Sequence, residues 1–244
     1  MAELTPQQEA ELEAAYYAAF AAWLPAASAA VLGGYNRFGA APNISAINAT
    51  STLWRAEVAR VSQRDLQPVA EEAYTDQIAG MAGIAAFSLN LPFIGAAAAA
   101  TTAFLAAQIG EVEASLRHIA RNSVTITEAA TAIAAYLDPR NPHWRSKARQ
   151  FAQTEGDRWA QAATLAGAVM AQRADGFSRV KIWESRDDEL VRPAHAMADG
   201  QRRPLLAPFN VAGFPMMYPH DPAAPPDLVV NCRCGLRIEV NRRG

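Results

Sequence analysis

The sequence predicts an α+β protein: a mainly helical, alanine-rich N-terminal part followed by a small loop-rich C-terminal module with short strands. Helix-capping signals and apolar residues at intervals of three and four recur as far as about Ala174. After Asp175-Gly176 the apolar period shortens toward two, and eight prolines from Pro193 to Pro226 exclude long helices and central strands. Hydrophobic residues make up 51% of the 244, enough to fill a core. The division falls between residues 1–175 and 176–244.

Thr5-Pro6-Gln7-Gln8 is a helix start, with Thr5 as cap, Pro6 in the first position and Gln8 reaching back. The alanine-rich run that follows is helical to about Leu32, where Gly33-Gly34 is expected to end it ahead of a loop reaching Asn43. A second helical region spans roughly Ser45 to Gly80, with Leu53, Ala56, Val58, Val61, Leu66, Val69 and Ala73 on one stripe and a kink near Pro68. Gln77 to Gly110 carries no charged residue. Its length permits a membrane span, but alanine dominates it and Gly80, Gly83, Asn90, Pro92 and Gly95 interrupt it. Two buried helical pieces broken at Asn90 to Pro92 are expected, and no stable span.

Thr125 and Glu128 form a capping box for a helix through Leu137, and Asn141-Pro142 caps a longer one to about Ala174. Trp144, Ala148, Phe151, Glu155, Trp159 and Ala166 lie along one side of it, with Glu155 expected to be half exposed and paired with Arg158. A short strand follows around Arg179 to Trp183. Leu228 to Asn231 and Leu236 to Val240 are expected to be two more strands, flanking the cysteines.

The net charge of −2 argues against a wholesale nucleic-acid coat or a polybasic membrane binder. Charge is uneven, however. Eight basic residues between Arg140 and Lys181 face three acidic ones, which leaves non-specific DNA contact open for that stretch beside a solvated helix face. The acidic, polar N-terminus has no signal-peptide character, so folding in a reducing cytoplasm is expected, with thiols free or metal-bound.

Chemistry concentrates near the C-terminus. Cys232 and Cys234 are the only cysteines, and two thiols two residues apart on an extended segment share a face. A disulfide across one residue would be strained, leaving metal, reactive thiols or buried thiols. His195 and His220 are the nearby imidazoles in sequence, with Asp187, Asp188, Asp199 and Asp221 as oxygen alternatives. Two thiolates with one or two imidazoles suit a tetrahedral structural zinc, which would supply folding energy to a module with little core. A cysteine or metal hydrolase built on His195, Cys232 and Cys234 is the catalytic alternative, although no active-site signature and no glycine-rich phosphate cradle accompanies them. Asp188 and Arg192, four apart, are expected to pair, and Asp199-Gly200 is a turn.

Taken together, Trp183, Asp188, Arg192, His195, Gly200, Asp221-Pro222, Asn231, Cys232, Arg233 and Cys234 resemble the phage Mu F-like family of minor head proteins, the head morphogenesis domain. The element Ala148-Arg149-Gln150-Phe151-Ala152-Gln153-Thr154-Glu155 on the preceding helix is similar to the family's as well. Many relatives carry a cysteine pair near the position of Arg192 to His195; this chain has His195 alone, which leaves three ligands unless His220 or an aspartate joins. The resemblance implies a virion component of the capsid interior or portal vertex, made in the bacterial cytoplasm, without enzymatic activity. Its implied partners are the portal, other capsid components and further copies of itself. Ejection with the DNA, with Gln77 to Gly110 inserting into a membrane, is the rival role.

Overall fold

A computed structural model describes residues 4–186 and 188–241. Its helices are α1 (Pro6–Phe38), a 3₁₀ segment (Ile44–Thr50), α2 (Ser51–Val61), a π-helical turn (Ser62–Leu66), α3 (Gln67–Ile78), α4 (Ile94–Asn122), α5 (Ile126–Tyr136) and α6 (Pro142–Asp175). The C-terminal module then contributes β1 (Arg179–Glu184), α7 (Pro193–Ala198), β2 (Arg202–Pro204), β3 (Phe209–Val211), β4 (Phe214–Met216), α8 (Pro226–Val229) and β5 (Gly235–Val240). The fold is thus α+β, mainly helical first and then a small antiparallel module.

Local chemistry explains most helix starts. The Thr5 hydroxyl accepts from the Gln8 amide at 3.2 Å while the Gln8 side chain accepts from the Thr5 amide at 2.8 Å, closing the capping box. Thr125 accepts from the Glu128 amide, but the Glu128 carboxylate reaches Val124 instead of the cap itself. Asn141 caps α6 through the His143 amide, with Pro142 in the first position.

Four expectations are corrected. α1 runs through Gly33-Gly34 to Phe38, because Leu32 before the glycines and Tyr35 after them pack on the core; the left-handed residue that ends it is Gly39, φ 65°, whose amide donates to the Tyr35 carbonyl. Residues 79–93 form an irregular connection in place of a first helical piece. Gly80, Gly83 and Phe93 all have positive φ, and with Pro92 they interrupt any helix here, so Phe87, Leu91 and Phe93 pack on the core from irregular backbone. Leu228 and Val229 belong to α8, not to a strand, since Pro226 occupies a first helical position and Asn231 (φ 54°) then turns the chain. On the second helical stripe, Leu53 and Ala56 are exposed and Trp54 is buried instead; the π turn before Pro68 shifts the helical phase.

α6 is the central element, packed against α1, α3 and α4. From Thr154 to Val169 every residue is buried, so the middle of this helix is surrounded on all sides. Phe20 stacks on Trp54 and tilts against Trp144, both at 5.1 Å between centroids, and Tyr16 meets Phe151 edge-on. Burying indoles requires acceptors for their N–H groups: Trp23 donates to Thr50, Trp54 to the Leu105 carbonyl, Trp144 to the Tyr136 carbonyl and Trp159 to Thr101. Among the described residues, α1 is the helix long and apolar enough to cross a membrane, and half of its most apolar window is buried.

In the module, β1 lies between β2 and β5, antiparallel to both, while β3 and β4 form a separate hairpin. Glu184 pairs with Gly235, which places the end of β1 next to Cys234.

Candidate metal centre

Three short elements deliver the ligands. Pro193 starts α7, which carries His195 in its first turn. Arg192, just outside, donates to the Val230 carbonyl at 2.5 Å and ties the start of α7 to the segment before Cys232. Gly200, φ 70°, turns the chain so that its amide reaches the Trp183 carbonyl at 2.9 Å. Cys232 and Cys234 occupy the irregular segment between α8 and β5, a departure from the expected extended strand.

These elements bring His195, Cys232 and Cys234 together. His195 Nδ1 lies 3.5 Å from Cys232 Sγ and 3.3 Å from Cys234 Sγ, and all three donor atoms fall within 4.8 Å of one another. In a tetrahedral zinc site with Zn–S about 2.3 Å and Zn–N about 2.0 Å, nitrogen and sulfur stand about 3.5 Å apart. The donor set and spacing fit. His195, Cys232 and Cys234 are 2%, 1% and 3% exposed, so the cluster is closed to solvent.

The electrostatics favour one thiolate. Cys234 is held below the usual thiol range, chiefly by its contact with Cys232 and also by the adjacent Trp183 indole N–H; Cys232 is pushed up by the same contact and by burial. The Trp183 indole N–H makes no well-formed hydrogen bond among the described residues. Trp183 also meets the His195 ring edge-on at 5.7 Å. A bound dication would let both thiols ionise, which is how such sites couple metal, protons and folding.

No protein-family model, no curated protein and no solved structure matches this chain. What the centre can do follows from its own atoms. Two soft thiolates and an imidazole suit zinc. Their burial suits a structural site, because a catalytic zinc keeps an open position for water or substrate.

The remaining expected site residues have other partners. Asp188 does not pair with Arg192; its carboxylate takes two hydrogen bonds from Arg233, which stands between the cysteines. Asp199 accepts from the Ser185 amide and so ties the end of α7 to the segment after β1, while Asp221 accepts from the amides of Met217 and Ala223 and serves its own turn. Asp187 lies outside the described residues. Asn231 is exposed, and its amide donates to Thr154 of α6 at 3.3 Å. His220 is fully buried beside Cys232, outside the three-atom cluster.

The supports of the centre on α6 are not expected as such from sequence, where Thr154 and Arg158 have other roles and Gln161 has none. On α6, Thr154 reaches Asn231, Arg158 donates to the His220 carbonyl at 3.3 Å, and Gln161 accepts from the Leu236 amide at 2.9 Å. They recur at helical spacing as a polar stripe inside an otherwise apolar stretch, a pattern visible in the sequence once the helix is known to be surrounded. Glu155 is fully buried, not half exposed; it pairs with Arg158 as expected and also accepts from Thr101 at 2.5 Å. Lys181 is also buried, its ammonium donating to the Met217 carbonyl at 2.6 Å over the Phe209 ring.

Proposed function

We propose that this chain is a structural protein of phage-type head assembly, acting at the portal or capsid interior, with a C-terminal module held by one structural zinc. The observation that carries the reading is that the residues responsible for the resemblance bind one another instead of lining a cleft. Asp188 holds Arg233, Arg192 holds the Val230 carbonyl, Trp183 abuts His195, and His195 touches both cysteines. The helical element of the resemblance joins them through Thr154 and Asn231. A motif whose members satisfy each other serves to fix a shape, and a fixed shape is what docking in an assembly requires.

Burial of the donors weighs against the thiol or metal hydrolase reading, since a nucleophile or metal-bound water needs access to substrate. DNA contact, if it accompanies assembly, falls to Arg140, Arg145, Lys147 and Arg149 near the start of α6 and to Arg173 near its end, because Arg158, Arg179 and Lys181 are buried. The test is made on head particles purified from producing cells. The chain should be recovered in the particles by mass spectrometry, and cells lacking it should yield empty or aberrant heads. Filled heads at full yield without it would remove the assembly role.

A further inference from the structure

His220 sits between β4 and α8 and is fully buried, yet neither ring nitrogen makes a well-formed hydrogen bond among the described residues. Its backbone is left-handed, φ 68°, a conformation that costs a non-glycine residue energy and persists where the surroundings impose it. Two neighbours define the ring. Asp157 of α6 places a carboxylate oxygen 3.7 Å from Nε2, and the ring lies beside Cys232 although outside the 4.8 Å spread of the three clustered donor atoms, so ligation needs the ring to close on them. A buried imidazole with a carboxylate on one nitrogen and a thiol cluster nearby has the arrangement of a metal-ligating histidine held by an outer carboxylate.

Resting on the zinc reading above, we propose that His220 is the fourth ligand, through Nδ1, of the metal held by His195, Cys232 and Cys234, and that Asp157 positions it. Asp157 belongs to the central helix and the four ligands to the C-terminal module, so the Asp157–His220 contact ties the metal-bearing module to the helical part. The same junction is reinforced from α6 by Arg158, which donates to the His220 carbonyl and pairs with Glu155. The ligand set becomes two thiolates and two imidazoles, which completes a closed tetrahedral site without the extra cysteine pair.

The test uses full-length protein stripped with chelator and titrated with Co²⁺, read by its visible d–d bands and sulfur-to-metal charge transfer, with Zn²⁺ competition for affinity. His220→Gly removes the ring while relieving the left-handed backbone; it should weaken binding by more than 10-fold and change the tetrahedral spectrum. Asp157→Asn keeps the ring and should weaken binding about 10- to 100-fold, as outer-shell partners do. His220→Cys should retain metal with stronger charge-transfer absorption from a third thiolate. Wild-type affinity and spectrum in His220→Gly would overturn the proposal. If that variant does not fold, unchanged affinity in Asp157→Asn overturns it instead. A wild-type chain that binds no Co²⁺ fails differently, by removing the metal reading itself.

Discussion

Asp188 and Arg233, far apart in the chain, meet in a two-pronged ion pair with guanidinium nitrogens 2.5 and 2.7 Å from the carboxylate oxygens. The pair clamps the segment after β1 to the residue between the two cysteines. Arg233 in turn holds the Asp188 carboxyl below the usual carboxylate range. Fork-to-fork geometry fixes orientation as well as contact.

Replacing Arg233 with Met should therefore loosen the cysteine segment without removing a ligand. Zinc affinity is expected to fall about 10-fold, the low end for outer-shell partners. Competition against a chromophoric chelator checks this, and Asp188→Asn should give a similar loss.

Burial makes the Glu155–Arg158 pair consequential for stability. Desolvation pushes the Glu155 carboxyl up, while Arg158 and Thr101 hold it down. Arg158→Met would leave that carboxylate without its cation and the His220 carbonyl without its donor. Urea denaturation should show a loss of about 3–5 kcal/mol, as for one partner removed from a buried ion pair. Glu155→Gln combined with Arg158→Met should cost less than the sum of the single changes.

Gly167 marks a close approach between α6 and α3. An added Cβ would lie 2.8 Å from the Tyr74 carbonyl oxygen, a backbone atom, and 2.8 Å from the Gln77 Cβ. Alanine favours a helix over glycine by about 1 kcal/mol, but forcing the helices apart costs about 1–3 kcal/mol. Gly167→Ala should lower Tm. At Gly156 the Cβ would meet only the Leu4 and Leu12 side-chain ends, so Gly156→Ala should be milder.

Lys181 supplies a pH dependence. Burial depresses its ammonium from 10.5 to about 7, with Asp221 opposing the shift. Between about pH 7 and pH 10.5 the unfolded chain binds more protons at this site than the folded chain, so stability rises with pH across that window; below pH 7 the cost of the buried charge is fully present. Denaturation midpoints measured from pH 6.5 to pH 9.5 should climb more steeply in the native protein than in Lys181→Met.

Features set by neighbours in sequence were legible: the Thr5 and Gln8 box, the Asn141-Pro142 start and the β1 strand all depend on residues within a few positions. Ends set by packing were not. Gly33-Gly34 signals a stop, but Leu32 and Tyr35 find core partners on either side and carry α1 onward. Residues 79–93 carry apolar side chains such as Phe87 and Leu91 that pack on the core, yet Gly80, Gly83 and Pro92 break the backbone often enough that no helix forms. At the candidate centre the donors themselves could be named from chemistry and spacing. Their supports could not, because Asp157 and Gln161 look like ordinary surface residues until the fold encloses them.

Whether a structural zinc holds the C-terminal module is tested most directly by elemental mass spectrometry on protein purified without chelator, beside Cys234→Ser. One zinc per chain in the native protein, lost in the variant together with the module's near-ultraviolet circular dichroism from Trp183, is the predicted result. A well-folded native protein without zinc, and a Cys234→Ser variant folded just as well, would contradict it.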